Sequence, residues 1–146
     1  MCGLAGIMVA TPSVAADALH AQARAMGDAL RHRGPDDAGV WVDAAAGIAL
    51  AHRRLSILDL SPLGHQPMAS SDGRYVLAYN GEIYNFAALR TELEPWGHVF
   101  QGHSDTEVLL AAVLEWGLED TLQRCNGMFA LALWDRQEQC LWLARD

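Results

Sequence analysis

An α+β sandwich is the fold class that these 146 residues predict, on three observations. Short apolar runs suited to strands occupy both ends of the chain. Helix-like segments rich in alanine and leucine lie between them. The regular strand-helix alternation that builds a parallel sheet is missing. The length matches one domain of roughly 100 to 200 residues, and with 51% of its positions apolar the chain can fill a single core.

Gly3 to Val9 is an apolar run broken at Thr11-Pro12, too short for a helix and suited to a buried strand. Val14 to Arg31 is alanine-rich, with Leu19, Met26 and Leu30 on one face and Ser13 where an N-cap would stand, which predicts the first helix. The Gly, Pro and two Asp of RHRGPDDAG, residues 31 to 39, end it in a loop. Val40 to Val42 and Gly47 to His52 read as strands joined across Asp43 to Ala46. Pro62, Gly64, Pro67 and Gly73 make a loop of Asp59 to Gly73, after which Tyr75 to Tyr79 is a strand and Asn80-Gly81 a turn. Asn85 to Leu93 has helical spacing that Pro95 to Gly97 ends, and a brief strand is expected around Val99. Ser104 and Glu107 stand in capping-box register before an apolar helix reaching about Trp116. Leu118 to Leu122 adds a helical turn, and Met128 to Trp134 pairs with Cys140 to Leu143 as a hairpin. Trp96, Trp116, Trp134 and Trp142 sit in or beside apolar runs and read as core anchors.

The formal charge of -8 opposes nucleic acid or an anionic membrane as partner, because both require a cationic face. Cys2, Cys125 and Cys140 contain no C-x-x-C pair, and the six histidines have no ligand spacing, so neither a disulfide framework nor a metal site is expected. The histidines read as structural or solvent-facing. The opening MCGLAGIMVA lacks a basic lead and breaks at Thr11-Pro12, unlike a signal peptide or a membrane span, so the expected compartment is the cytoplasm.

Two places suggest chemistry. Removal of Met1 would put a free α-amino group on Cys2 itself, and an amine titrating near ~8 can take the proton of a thiol titrating near ~8.5. Taken alone, Cys2 reads first as a small core residue. Asn80-Gly81 can aim a side-chain amide and a backbone N–H at one point, which is an oxyanion hole, or it can be an ordinary hairpin turn.

MCGLAGI (1 to 7), RHRGPD (31 to 36), AHRRLSILDLSPLGHQPM (51 to 68), NGEIYN (80 to 85) and SDTE (104 to 107) span most of the chain. In that order they resemble the glutaminase domains of class II glutamine amidotransferases, those of asparagine synthetases above all. The resemblance implies an N-terminal nucleophile hydrolase fold, a four-layer αββα sandwich. It implies that Cys2 attacks the amide of glutamine, forming a glutamyl thioester and releasing ammonia, with its own amino group as proton carrier. Asn80 and Gly81 would hold the oxyanion, and Arg54 would grip the α-carboxylate bidentately. Asp105, with Glu82 nearby, would hold the α-ammonium, and the backbone of Leu55 and Ile57 would line the pocket. Such a division suits an amino acid amide, which presents one anion, one cation and one reactive carbonyl. Arg53 keeps a surface role, and the RHRGPD loop a structural or gating one.

Asparagine synthetases continue beyond the stretch that resembles WLARD into a domain that binds ATP, magnesium and aspartate. Residues 1–146 contain no glycine-rich phosphate loop, so the expectation is a glutaminase domain truncated at its C-terminus, without a cofactor of its own. Its expected partners are L-glutamine and the synthetase domain of the full-length protein. A sheet edge left uncovered would lower stability and favour association, as in a homodimer. Two rivals stay open: another class II amidotransferase, such as those making phosphoribosylamine or glucosamine phosphate, and a non-catalytic module that binds glutamine or a partner protein. A redox module would need the missing C-x-x-C.

Overall fold

Two antiparallel sheets organise the chain in the computed structural model, which describes residues 2–10, 14–57 and 59–146. β1 (Gly3–Met8), β2 (Asp37–Asp43) and β3 (Ile48–Arg54) form the first, with β3 in the centre. β4 (Met68–Ala69), β5 (Tyr75–Ile83), β6 (Gly127–Asp135) and β7 (Cys140–Arg145) form the second in sequence order. The helices are α1 (Ala16–Ala29), α2 (Phe86–Leu93), α3 (Asp105–Trp116) and α4 (Leu118–Arg124).

Central strands covered on both faces lose the alternation of apolar and polar residues, and β3 and β5 are such strands. Ala49 and Ala51 of β3 pack against Leu19 and Ala23 of α1. Ile48 and Leu50, on its other face, meet Val76 and Ala78 of β5 and Ala132 and Trp134 of β6. The far face of β5 and β6, with Leu77, Tyr79, Leu131 and Leu133, packs against Leu89 and Leu93 of α2 and Val108, Leu109 and Ala112 of α3. Small residues bring α1 close, since a Cβ on Gly27 would lie 3.3 Å from that of Ala51.

The structure corrects several expectations. Asn80-Gly81 is not a turn: β5 runs on to Ile83, and Gly81 faces Phe129 of β6. Asn-Gly signals a hairpin only where the strand has no reason to continue, and here pairing with β6 carries it on. The residues around Val99 form no strand, and Val99 is 86% exposed. Trp134 is a core anchor, but Trp96 and Trp142 are 68% and 50% exposed. Leu19, Ala23 and Gly27 are the buried face of α1, leaving Met26 at its exposed edge. Ala15 holds the N-cap position of α1, and Ser13 lies outside the described residues. At α3, Ser104 Oγ accepts the Glu107 N–H as expected (3.3 Å). The Glu107 carboxylate, however, accepts from the N–H groups of Gln101 (2.8 Å) and Gly102 (2.9 Å), so it tethers the preceding loop.

Candidate active site

Strand ends from both sheets and the start of α3 meet around a cavity of about 150 Å³. One water needs only ~10–15 Å³ by the same measure, so a small organic molecule fits. All eight residues singled out from the sequence line it: Cys2, Arg54, Leu55, Ile57, Asn80, Gly81, Glu82 and Asp105.

Cys2 immediately precedes β1, whose Gly3 faces Arg53 of β3, so the pairing sets the thiol beside the residues that follow β3. Its Sγ accepts the Leu55 N–H at 3.3 Å and lies 3.7 Å from the Leu55 carbonyl. The RHRGPD loop braces this arrangement. Arg33 Nε donates to the Cys2 carbonyl at 2.9 Å, the Asp36 N–H donates to the Arg54 carbonyl (3.0 Å), and Asp36 Oδ2 accepts the Ser56 N–H (2.8 Å). Gly34 is required by contact, because a Cβ there would fall 2.4 Å from the Arg53 carbonyl carbon and oxygen.

Arg54 ends β3 and is only 8% exposed. Its Nη1 donates to the Ser61 carbonyl (2.8 Å) and its Nη2 to that of Asp59. A guanidinium has five donors, so donors remain after these two bonds. Asp59 holds the loop in turn, with Oδ1 accepting the Ser61 N–H (2.7 Å) and Oδ2 the His103 N–H (2.9 Å). These bonds, that from His103 foremost, hold its pKa down to about 2.

β4 pairs with β5 only at Leu77 and Val76, so among the described residues no strand lies beside the rest of that edge of β5. In an antiparallel pair, successive residues turn their backbone groups alternately toward and away from the partner. Tyr79 N–H points to the open edge, where Gln66 Oε1 accepts it at 2.7 Å. Ile83 N–H, four residues on, donates to Asp105 Oδ2 at 2.9 Å. By the same parity Gly81, midway between them, turns its N–H to this edge, on the cavity it lines. The Asn80 amide oxygen is buried without a hydrogen-bond partner among the described residues, so the fold has not committed it.

Asp105 opens α3 and is 5% exposed. Tyr79 OH donates to its Oδ2 at 2.8 Å. Among the described residues no basic side chain forms an ion pair with it, and a buried carboxylate without a cation is costly unless a ligand supplies one. Glu82 is exposed at the rim, and the Ile57 side chain is 65% exposed at the mouth.

Supporting groups escaped the sequence reading. Gln66 also donates from Nε2 to Thr106 Oγ1 (3.3 Å), and His52 Nε2 donates to the Tyr79 carbonyl (2.8 Å), tying β3 to β5. Burial pushes the His52 ring down to about 4, so it is neutral. Gln66 lies within the HQPM string, which was a signal without an assigned role; Tyr79 and His52 sit in apolar strands with no local pattern to mark them. Arg53 departs from its expected surface role: its side chain is 11% exposed and 3.9 Å from Asp28, on the α1 side of β3.

Residues 1–146 match the family described as a glutamine amidotransferase domain. The chain belongs to that family. Asparagine synthetase B (glutamine-hydrolysing) of Escherichia coli K12 is 41% identical to the amidotransferase domain, covering 100% of this chain and 25% of its own length. Asparagine synthetase 3 (glutamine-hydrolysing) of Bacillus subtilis 168 is 45% identical over 83% of this chain and 19% of its own length. The chain thus spans a quarter or less of the curated relatives it matches. The solved glutamine phosphoribosylpyrophosphate amidotransferase of B. subtilis, complexed with ADP and GMP, aligns with TM-score 0.67 at 22% identity, over 82% of this chain and 33% of that one. The fold is therefore α+β and like that of the N-terminal nucleophile hydrolases. This is a class II glutamine amidotransferase domain of the asparagine synthetase kind.

Proposed function

We propose that this amidotransferase domain hydrolyses the side-chain amide of L-glutamine to glutamate and ammonia through a thioester on Cys2. The observation that carries the reading is a buried carboxylate (Asp105) with no ion-pair partner among the described residues, and a buried guanidinium (Arg54), on the same cavity as a thiol. Arg54 takes the α-carboxylate and Asp105 the α-ammonium, with Glu82 adding negative charge at the rim. Their opposed grip leaves the amide carbon for Cys2.

With Met1 removed, the α-amino group of Cys2 accepts the thiol proton as Sγ bonds to the amide carbon. The carbonyl electrons move onto oxygen, whose charge the Gly81 N–H and the Asn80 amide receive. Collapse breaks the C–N bond, and ammonia departs with the proton returned from the α-amino group. Water then adds to the thioester, releasing glutamate and restoring the thiol. The Leu55 N–H steadies the sulfur, and the Leu55 to Ile57 backbone forms the wall beside it.

In the whole protein the ammonia serves asparagine synthesis from aspartate in a linked synthetase domain, and the matched glutamine-hydrolysing asparagine synthetases support a linked domain of that kind; that domain would bind ATP and magnesium. The three apolar clusters, α1 on one sheet, sheet on sheet, and α2 with α3 beyond, support a four-layer αββα sandwich.

Intact mass before and after incubation with a glutamine-like electrophile tests the reading. The expected result is loss of Met1 and one adduct, blocked by excess glutamine and absent from Cys2→Ala. Cys125 should stay unlabelled, because burial pushes its thiol up to about 11. Retained Met1, or labelling that glutamine does not block, would favour a non-catalytic module.

A further inference from the structure

Asp105 is asked to bind an ammonium group, yet nothing in its own position one residue into α3 fixes how its carboxylate is turned. Among the described residues, both hydrogen bonds to it fall on Oδ2: the Tyr79 hydroxyl at 2.8 Å and the Ile83 N–H at 2.9 Å. Oδ1 is thereby left for a ligand. Tyr79 is 2% exposed, and three elements fix it: Gln66 holds its N–H, His52 its carbonyl and Asp105 its hydroxyl. Its ring is also packed in the cluster formed with α3.

We propose that Tyr79 is a positioning residue for substrate recognition: its hydroxyl locks the Asp105 carboxylate so that Oδ1 meets the α-ammonium of the amino acid. This rests on the glutamine reading of the site. Two features separate it from simple core packing. The hydroxyl could have been omitted from an apolar cluster at no packing cost, since phenylalanine fills the same volume. Burial, and next the charge of Asp105, raise the phenol's pKa, so it remains a donor at every working pH. A hydroxyl that only donates can hold one carboxylate oxygen but cannot replace the substrate's positive charge.

The inference separates recognition of the α-ammonium from the chemistry at Cys2. In ammonia-release assays, Tyr79→Phe should raise KM for glutamine about tenfold, the size of one hydrogen bond to a charged group, with kcat within about twofold. The readout that packing alone would not move is 4-carbamoylbutanoate, which keeps the carboxylate and amide of glutamine but lacks the α-ammonium. Its kcat/KM should be the same for Tyr79→Phe and the parent. In an Asp105→Asn background, Tyr79→Phe should have no further effect on glutamine KM. Equal losses for both substrates, or an unchanged glutamine KM, would overturn the positioning role while leaving the glutaminase reading intact. A parent protein that neither releases ammonia nor has Cys2 protected by glutamine would overturn both.

Discussion

Replacing Gly81 with alanine should remove most turnover while leaving glutamine binding largely in place. A Cβ at this position would lie 2.4 Å from the Met128 carbonyl oxygen and 2.6 and 2.7 Å from Cβ and Cα of Phe129. That is about 1 Å inside ordinary contact. None of these atoms can rotate away, because they belong to the backbone of β6 or are fixed directly to it. Gly81 and Phe129 are also opposed as a pair without mutual hydrogen bonds, where antiparallel strands approach most closely. Relief must come from β5 shifting off β6, which carries the Gly81 N–H with it. A donor serves an oxyanion only within about 2.7–3.1 Å, so a displacement of comparable size to the overlap forfeits it. Loss of one such donor costs about 100- to 1000-fold in kcat, and the overpacking about 1–3 kcal/mol of stability. Steady-state ammonia release would measure the first and urea unfolding the second. KM should change less than kcat, because Arg54 stands on β3 and a loosened β5 hold on Asp105 costs about tenfold, against the cost of about 100- to 1000-fold for a lost oxyanion donor. A folded Gly81→Ala protein with kcat within about threefold of the parent would refute the oxyanion assignment.

Arg54→Lys should raise KM for glutamine about 10- to 100-fold, because a shorter side chain with a single nitrogen lacks the planar fork that holds the Ser61 and Asp59 carbonyls through separate Nη atoms and can grip a carboxylate bidentately; an unchanged KM in steady-state kinetics would count against the carboxylate role. His52 should make the fold sensitive to mild acid. Burial holds its ring at about 4 in the folded protein, while the unfolded chain titrates near ~6.5. Between these values the unfolded state binds more protons, so stability falls as pH drops through that window, by up to about 3 kcal/mol. Urea unfolding across the window should show this slope in the parent and a flatter one in His52→Gln; identical slopes would mean that other groups govern it.

Much of the site was legible from residue order because its members lie in short local strings. Cys2, Arg54, Asn80, Gly81 and Asp105 all line one cavity. What strand pairing and packing decide was not legible. Asn-Gly marks a turn by local conformational preference, and only its opposition to Phe129 and Met128 shows that glycine is there for close strand approach. Arg53 and Arg54 are adjacent and chemically alike, and the alternation of β3 alone sends one toward α1 and the other to the cavity. Trp96 and Trp142 have apolar neighbours in sequence but too little of the fold over them to be buried. Gln66, His52 and Tyr79 are separated along the chain and meet only because β4 stops short, leaving backbone groups of β5 for side chains to satisfy. The sequence by itself determined the α+β class and the family, since residue type and spacing are local properties. Which backbone N–H is left unpaired, and which carboxylate oxygen is left for a ligand, are decided by contacts between distant segments, and only the tertiary structure makes those.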